Sequence, residues 1–285
     1  MFIRKKVLVL ALLCAVRAVL WPESPISSFT EERVEEFVTY RVALKSEDVG
    51  HALERMTELR ESVIAELPQH ARDLEQETCI LETMYFMEMY ERLLSSSGNQ
   101  KELRARMKSL MQRNVKCIES RKNAVSEWLY LFTGDATAYY MTRSVAATFL
   151  YGLRVKGFYE SAIKANGRRA AAYVSLGNWC FYAPALFGGG KKKAGRCFDD
   201  ALECAEIPGE RYLAYIAVSQ LGFERKRKDL AAEYLEMALA LDLGRRDLDL
   251  IARCNEKGYS YFQYLRDRSG IDEKMAEDEK DDDDK

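Results

Sequence analysis

The sequence predicts an all-α protein built from stacked, antiparallel helix pairs. Three observations carry that expectation. From Phe29 onward apolar residues recur at helical spacing almost without interruption. No stretch alternates apolar and polar residues between hairpin turns. The second half repeats a pattern of small and aromatic residues. At 285 residues, 48% hydrophobic and 31% charged with only 5 prolines, the chain has ample material for a folded core.

The first 18 residues stand apart. Arg4, Lys5 and Lys6 form a basic start, Val7 to Val16 is unbroken and apolar, and Val16-Arg17-Ala18 offers a cleavage context. This is the layout of a secretory signal peptide, too short to span a bilayer comfortably. An uncleaved interfacial anchor is the alternative. Cys14 raises lipid attachment as a further option, although Leu13 is bulky where a lipoprotein signal carries a small residue. Residues 19–28 read as a linker, and 29–270 as one helical domain.

Within that domain Val34, Phe37, Val38, Val42 and Leu44 mark the first helix. Further helices are predicted at about 47–66, 70–95 and 100–120, with breaks at Pro68 and at Ser95 to Asn99. Residues 271–285 hold nine acids and three lysines, which predicts a solvated, disordered tail. With the signal and tail removed, residues 19–270 carry no net charge. A neutral body lacks the basic field that draws a nucleic acid.

The repeat is clearest at Tyr159 to Asn166, a helix end rich in small and aromatic residues. It is followed by Gly167 and the helix containing Tyr173, Leu176 and Gly177. Ala162 and Gly177 are small enough for helices to approach closely, and Tyr173 and Leu176 fill the space between them. Ala194, Phe198 and Ala201 continue the pattern. Ala231, Leu235 and Ala238 repeat its intervals after Tyr215 and Val218, and Cys117, Trp128 and Leu131 form a weaker copy.

This constellation resembles the tetratricopeptide-repeat (TPR) superfamily, most specifically at 159–201, with related units over about 115–242. Ordinary TPR units repeat every 34 residues, whereas Trp128, Tyr173 and Tyr215 are 45 and 42 apart. Part of the extra length lies in the turn Phe181 to Gly190. Together with the export signal, that turn looks like the periplasmic TPR lipoproteins associated with TRAP transporters. The resemblance implies a TPR-like α-solenoid, oligomerisation, and partnership with a periplasmic solute-binding protein.

Five residues form the candidate ligand-binding set: Trp179, Phe181, Tyr182, Phe187 and Lys191. The aromatics exceed what one helix face needs and border a glycine-rich turn; they either line a pocket or pack on neighbouring helices. Gly188-Gly189-Gly190 with Lys191, Lys192 and Lys193 either holds an anion at a helix start or forms a solvated turn. It is not a phosphate-binding Walker loop, because residue 185 is alanine and 192 lysine.

Other chemistry is sparse. His51 and His70 are the only histidines, so a His-dependent hydrolase or zinc protease is hard to build, and no cofactor is implied. Cys79, Cys117, Cys180, Cys197, Cys204 and Cys254 form no Cys-x-x-Cys pair; buried thiols and disulfides are both open. Arg225 to Lys228 is a basic turn. Tyr259, Tyr261, Phe262 and Tyr264 are expected to seal the end of the array.

The expected function is therefore non-catalytic: an exported binding or adaptor protein of the cell envelope that docks a solute-binding partner. The alternatives are a carrier of an apolar small molecule and a scaffold for envelope assembly.

Overall fold

The computed structural model describes residues 24–44, 48–96, 100–121, 124–141, 145–244 and 246–283. The signal-peptide reading falls outside them. The described residues are helical with no strand. The helices are α1 (Ser28–Leu44), α2 (Val49–His70), α3 (Leu74–Ser96), α4 (Gln100–Glu119), α5 (Glu127–Met141), α6 (Val145–Ala165) and α7 (Ala170–Tyr182). A short 3-10 turn (Ala185–Phe187) leads to α8 (Lys191–Cys204), α9 (Pro208–Glu224), α10 (Lys228–Leu239), α11 (Arg246–Glu256), α12 (Tyr261–Arg266) and α13 (Arg268–Asp283).

Local chemistry explains several boundaries. Asp48 caps α2, accepting hydrogen bonds from the Gly50 and His51 amides at 2.9 and 3.4 Å. Ser260 and Gln263 form a reciprocal capping box at α12. Pro208 opens α9, where its missing amide proton has no helical partner to lose. Pro68, by contrast, does not break its helix. It lies in the last turn of α2, and the chain turns extended only at Ala71. A proline so late removes one ladder bond and leaves little helix to distort.

The segment before α1 is no simple linker. Ile26 and Ser27 are buried. The fully buried Glu77 carboxylate accepts the Ser27 amide at 3.1 Å, the Ser27 hydroxyl, and the Thr30 hydroxyl at 2.5 Å. It also accepts the Arg72 and Asp73 amides at 2.8 and 3.0 Å. One acidic side chain on α3 thus anchors the start of α1 and the α2–α3 turn, satisfying amides that would otherwise be orphans.

Neighbours in sequence pack most extensively: α5 with α6, α7 with α8, and α9 with α10. The small residues of the repeat lie inside these contacts. Ala162, Ala194, Ala201, Ala231 and Ala238 are buried. Gly177 sits directly beneath the Phe198 ring, so that even a methyl group there would collide. The main apolar cluster is continuous from Ile26 through Phe262. A further cluster around Cys254 and Tyr264 takes in Ile271 and Met275. That corrects the expectation of a disordered tail from residue 271: α13 runs through this boundary, held by two buried apolar side chains.

Candidate functional site

A cavity of about 600 Å³ opens between α1, α5, α6, α7 and the 3-10 turn, with single contributions from α3 and α9. Its walls are mainly apolar, from Val38, Met87, Leu131, Phe132, Val155, Val174 and Leu213 among others. Its outer part is bordered by Phe149, Leu153, Tyr182 and Phe187, all substantially exposed. Leu150 and Leu186, next to Phe149 and Phe187 in sequence, are 71% and 89% exposed. The volume and lining are those of a small-molecule pocket with an apolar collar.

The void exists because α5, α6 and α7 are spaced by particular residues. Gly134 on α5 receives the Tyr159 ring, whose nearest atom would lie 2.6 Å from an added Cβ. That approach carries the Tyr159 hydroxyl to Asp135, to which it donates at 2.9 Å. Ser175 on α7 donates to the same oxygen, Oδ1, at 3.2 Å. Trp179 is turned into the wall by its indole N–H, which donates to the Gly152 carbonyl at 2.9 Å.

Asp135 lines this cavity and is half-buried. Burial raises its carboxyl above the ordinary range, opposed by the Tyr159 hydrogen bond, the charge of Arg41 and the Ser175 hydrogen bond. Burial, with the neighbouring Asp135 charge, also pushes the Tyr159 hydroxyl well up, so Tyr159 stays protonated and remains a donor. Arg41, also on the wall, pairs through Nε with Glu88 at 3.2 Å.

Of the five residues singled out from sequence, Trp179, Tyr182 and Phe187 come together on the cavity wall. Phe181 and Lys191 do not. Phe181 lies outside the cavity lining and packs on Phe262, with ring centroids 4.3 Å apart, its ring meeting that of Tyr182 edge-on at 5.2 Å. Lys191 pairs with Glu224 at 2.5 Å and lies 5.6 Å from the Phe181 ring centroid. Successive helical residues point about 100° apart, so Tyr182 reaches the cavity wall while the adjoining Phe181 points toward Phe262.

Gly188 and Gly190 take positive φ values of 95° and 137°, which shapes the turn preceding α8. Lys193 donates to the Gly188 carbonyl at 3.0 Å. Phe262 lies against Phe181 and Phe198, and its carbonyl accepts the Tyr182 hydroxyl at 2.9 Å. The basic turn after α9 is tied back by Arg225, which donates to the Lys191 carbonyl at 2.7 Å.

Sequence reasoning missed Asp135, Arg41, Ser175 and Asn178, and counted Tyr159 only as packing. One signal was available: Glu127 and Asp135 are the only charges in the fifteen residues of α5, which is otherwise strongly apolar. A lone carboxylate in the middle of such a helix requires partners. The six described cysteines are free, with thiol contacts between Cys79 and Cys117 and between Cys180 and Cys197. Among the described residues no helix is long and apolar enough to cross a membrane, and no acid, thiol and imidazole cluster could hold a metal.

No protein-family model matches this sequence, and comparison with curated proteins yields no significant match.

Proposed function

We propose that this chain is a non-catalytic binding protein that holds an apolar or amphipathic small molecule in its interhelical cavity. One observation carries the reading. A void of about 600 Å³ has apolar walls, a small group of converging polar side chains and an apolar collar. In this view the packed neighbours α5–α6, α7–α8 and α9–α10 are units of a divergent, TPR-like α-solenoid. The longer connection after α7 supplies Pro184 and Phe187 to the cavity wall.

Export to the cell envelope is part of the proposal and rests on the basic, apolar first 18 residues. A second reading is an adaptor that docks a solute-binding protein, supported by Phe149, Leu150 and Leu186, which are more than two-thirds exposed.

Organic extraction of protein purified without detergent, followed by mass spectrometry, separates the two. A stoichiometric apolar molecule supports the carrier. A clean extract, with a crosslinked protein partner that protects Phe149 and Leu186, supports the adaptor and counts against the carrier.

A further inference from the structure

The polar groups on the cavity wall are unevenly engaged. Three donors are already in use: Tyr159 and Ser175 both give their hydroxyl protons to Asp135 Oδ1, and the Trp179 indole gives its own to Gly152. Two acceptor oxygens are left over, alongside the Asn178 amide donors. Asp135 Oδ2 receives no hydrogen bond from any described residue, and Asp135 forms part of the wall. Asn178, one turn beyond Ser175 on α7, lines the same wall with its Oδ1 unpartnered.

The surroundings of Asp135 suit a cation. Phe132, Asp135 and Tyr139 all line the cavity and are spaced three and four residues apart on α5, so they share one helix face. A carboxylate flanked by two aromatic rings offers an ammonium group both a charge-assisted hydrogen bond and cation–π contact. Among the described residues of the wall the guanidinium is Arg41, which pairs with Glu88 while its charge also acts on Asp135.

We infer that the molecule held in this cavity is an amphipathic amine, its protonated head on Asp135 Oδ2 and its apolar body along the wall formed by α5, α6 and α7. The inference rests on the reading of the cavity as a binding site and adds the chemistry of the occupant's polar end. A fatty acid would instead place a second carboxylate beside Asp135 and would have to compete with Glu88 for Arg41.

Titration calorimetry of the full chain with three probes of equal length, dodecylamine, dodecanol and dodecanoate, tests this below their aggregation concentrations. The expected result is that the amine binds at least about tenfold more tightly than the other two. In Asp135→Asn that margin should fall to about twofold or less. Dodecanoate or dodecanol matching the amine would overturn the amine assignment and leave the cavity reading intact. An unchanged margin in a folded Asp135→Asn protein would overturn it equally. Failure of all three probes to bind would remove the cavity reading itself. The ranking of the probes on the unmodified chain decides the matter even if the variant does not fold.

Discussion

Arg169 and Glu127 meet at 3.2 Å with only 9% of either side chain exposed. The same guanidinium reaches Glu35 at 2.6 Å and Glu31 at 2.7 Å, and lies 4.7 Å from the Trp128 ring centroid. One side chain at the start of α7 therefore joins α1 to α5. Those are two of the helices that frame the cavity, so the geometry of the site depends on this buried cation.

Arg169→Ala strands three acidic side chains around an empty site. A loss of about 3–5 kcal/mol in urea unfolding is expected. Arg169→Lys should recover only part of it, since an ammonium cannot reproduce the planar fork. Lys191→Ala, which removes a pair whose lysine is 51% exposed, should cost less than about 1 kcal/mol. Equal costs at the two sites would contradict the account of the core.

Glu210 provides a pH signature. It is fully buried, accepts the Ala171 amide at 3.0 Å, and leaves Oε2 without a partner. Burial pushes its carboxyl up to about 7, opposed by the Ala171 amide and by Arg169. The folded state thus binds a proton more readily than the unfolded state, whose ordinary value is 4.5. Its stabilising contribution is complete below about 4.5 and is lost as pH rises through about 7. The urea midpoint should fall between pH 5 and pH 8 in the unmodified chain, and this step should be absent in Glu210→Gln. A loss on the order of 2–3 kcal/mol is expected. Parallel pH profiles for the two proteins would rule out this role.

The small residues at helix contacts make a paired prediction. Gly177→Ala drives a methyl group into Phe198 and should destabilise the protein by about 1–3 kcal/mol. Gly157→Ala on α6 meets nothing within 4 Å and should instead stabilise by about 0.5–1 kcal/mol through helix propensity. Thermal unfolding reads both signs. A neutral Gly177→Ala would mean that α7 and α8 are not so closely packed.

The thiols should be sluggish. Burial pushes the thiol of Cys197 up to about 12 and that of Cys204 up to about 11. Little thiolate is present at neutral pH, and thiolate is the reactive form. A disulfide reagent should therefore modify Cys197 and Cys204 slowly at pH 7.5 and much faster above pH 10, while unfolding should release all described thiols at once. Rapid labelling of Cys197 or Cys204 in the native protein at pH 7.5 would contradict this burial.

Much of the helical framework is legible in the residues. The spacing of Val34, Phe37, Val38 and Val42 marks α1, and all four are buried. The boundaries were harder, for physical reasons. Pro68 looked like a stop because local rules do not reveal that it falls in a final turn. The acids after 271 masked Ile271 and Met275, whose burial depends on packing against Cys254 and Tyr264. The cavity was half legible: Trp179, Tyr182 and Phe187 announced themselves as an aromatic excess. Asp135 did not, because its partners Tyr159 and Ser175 lie 24 and 40 residues away and only the fold brings them together.

Fluorescence quenching by a bromine-tagged alkyl amine, in a Trp21→Phe background that leaves two of the three tryptophans, tests the central claim most directly, because Trp179 lines the cavity while Trp128 is completely buried elsewhere in the core. The account predicts saturable, one-site quenching that disappears in Trp179→Phe. Quenching that never saturates, or that persists undiminished in Trp179→Phe, would contradict a bound molecule in this cavity.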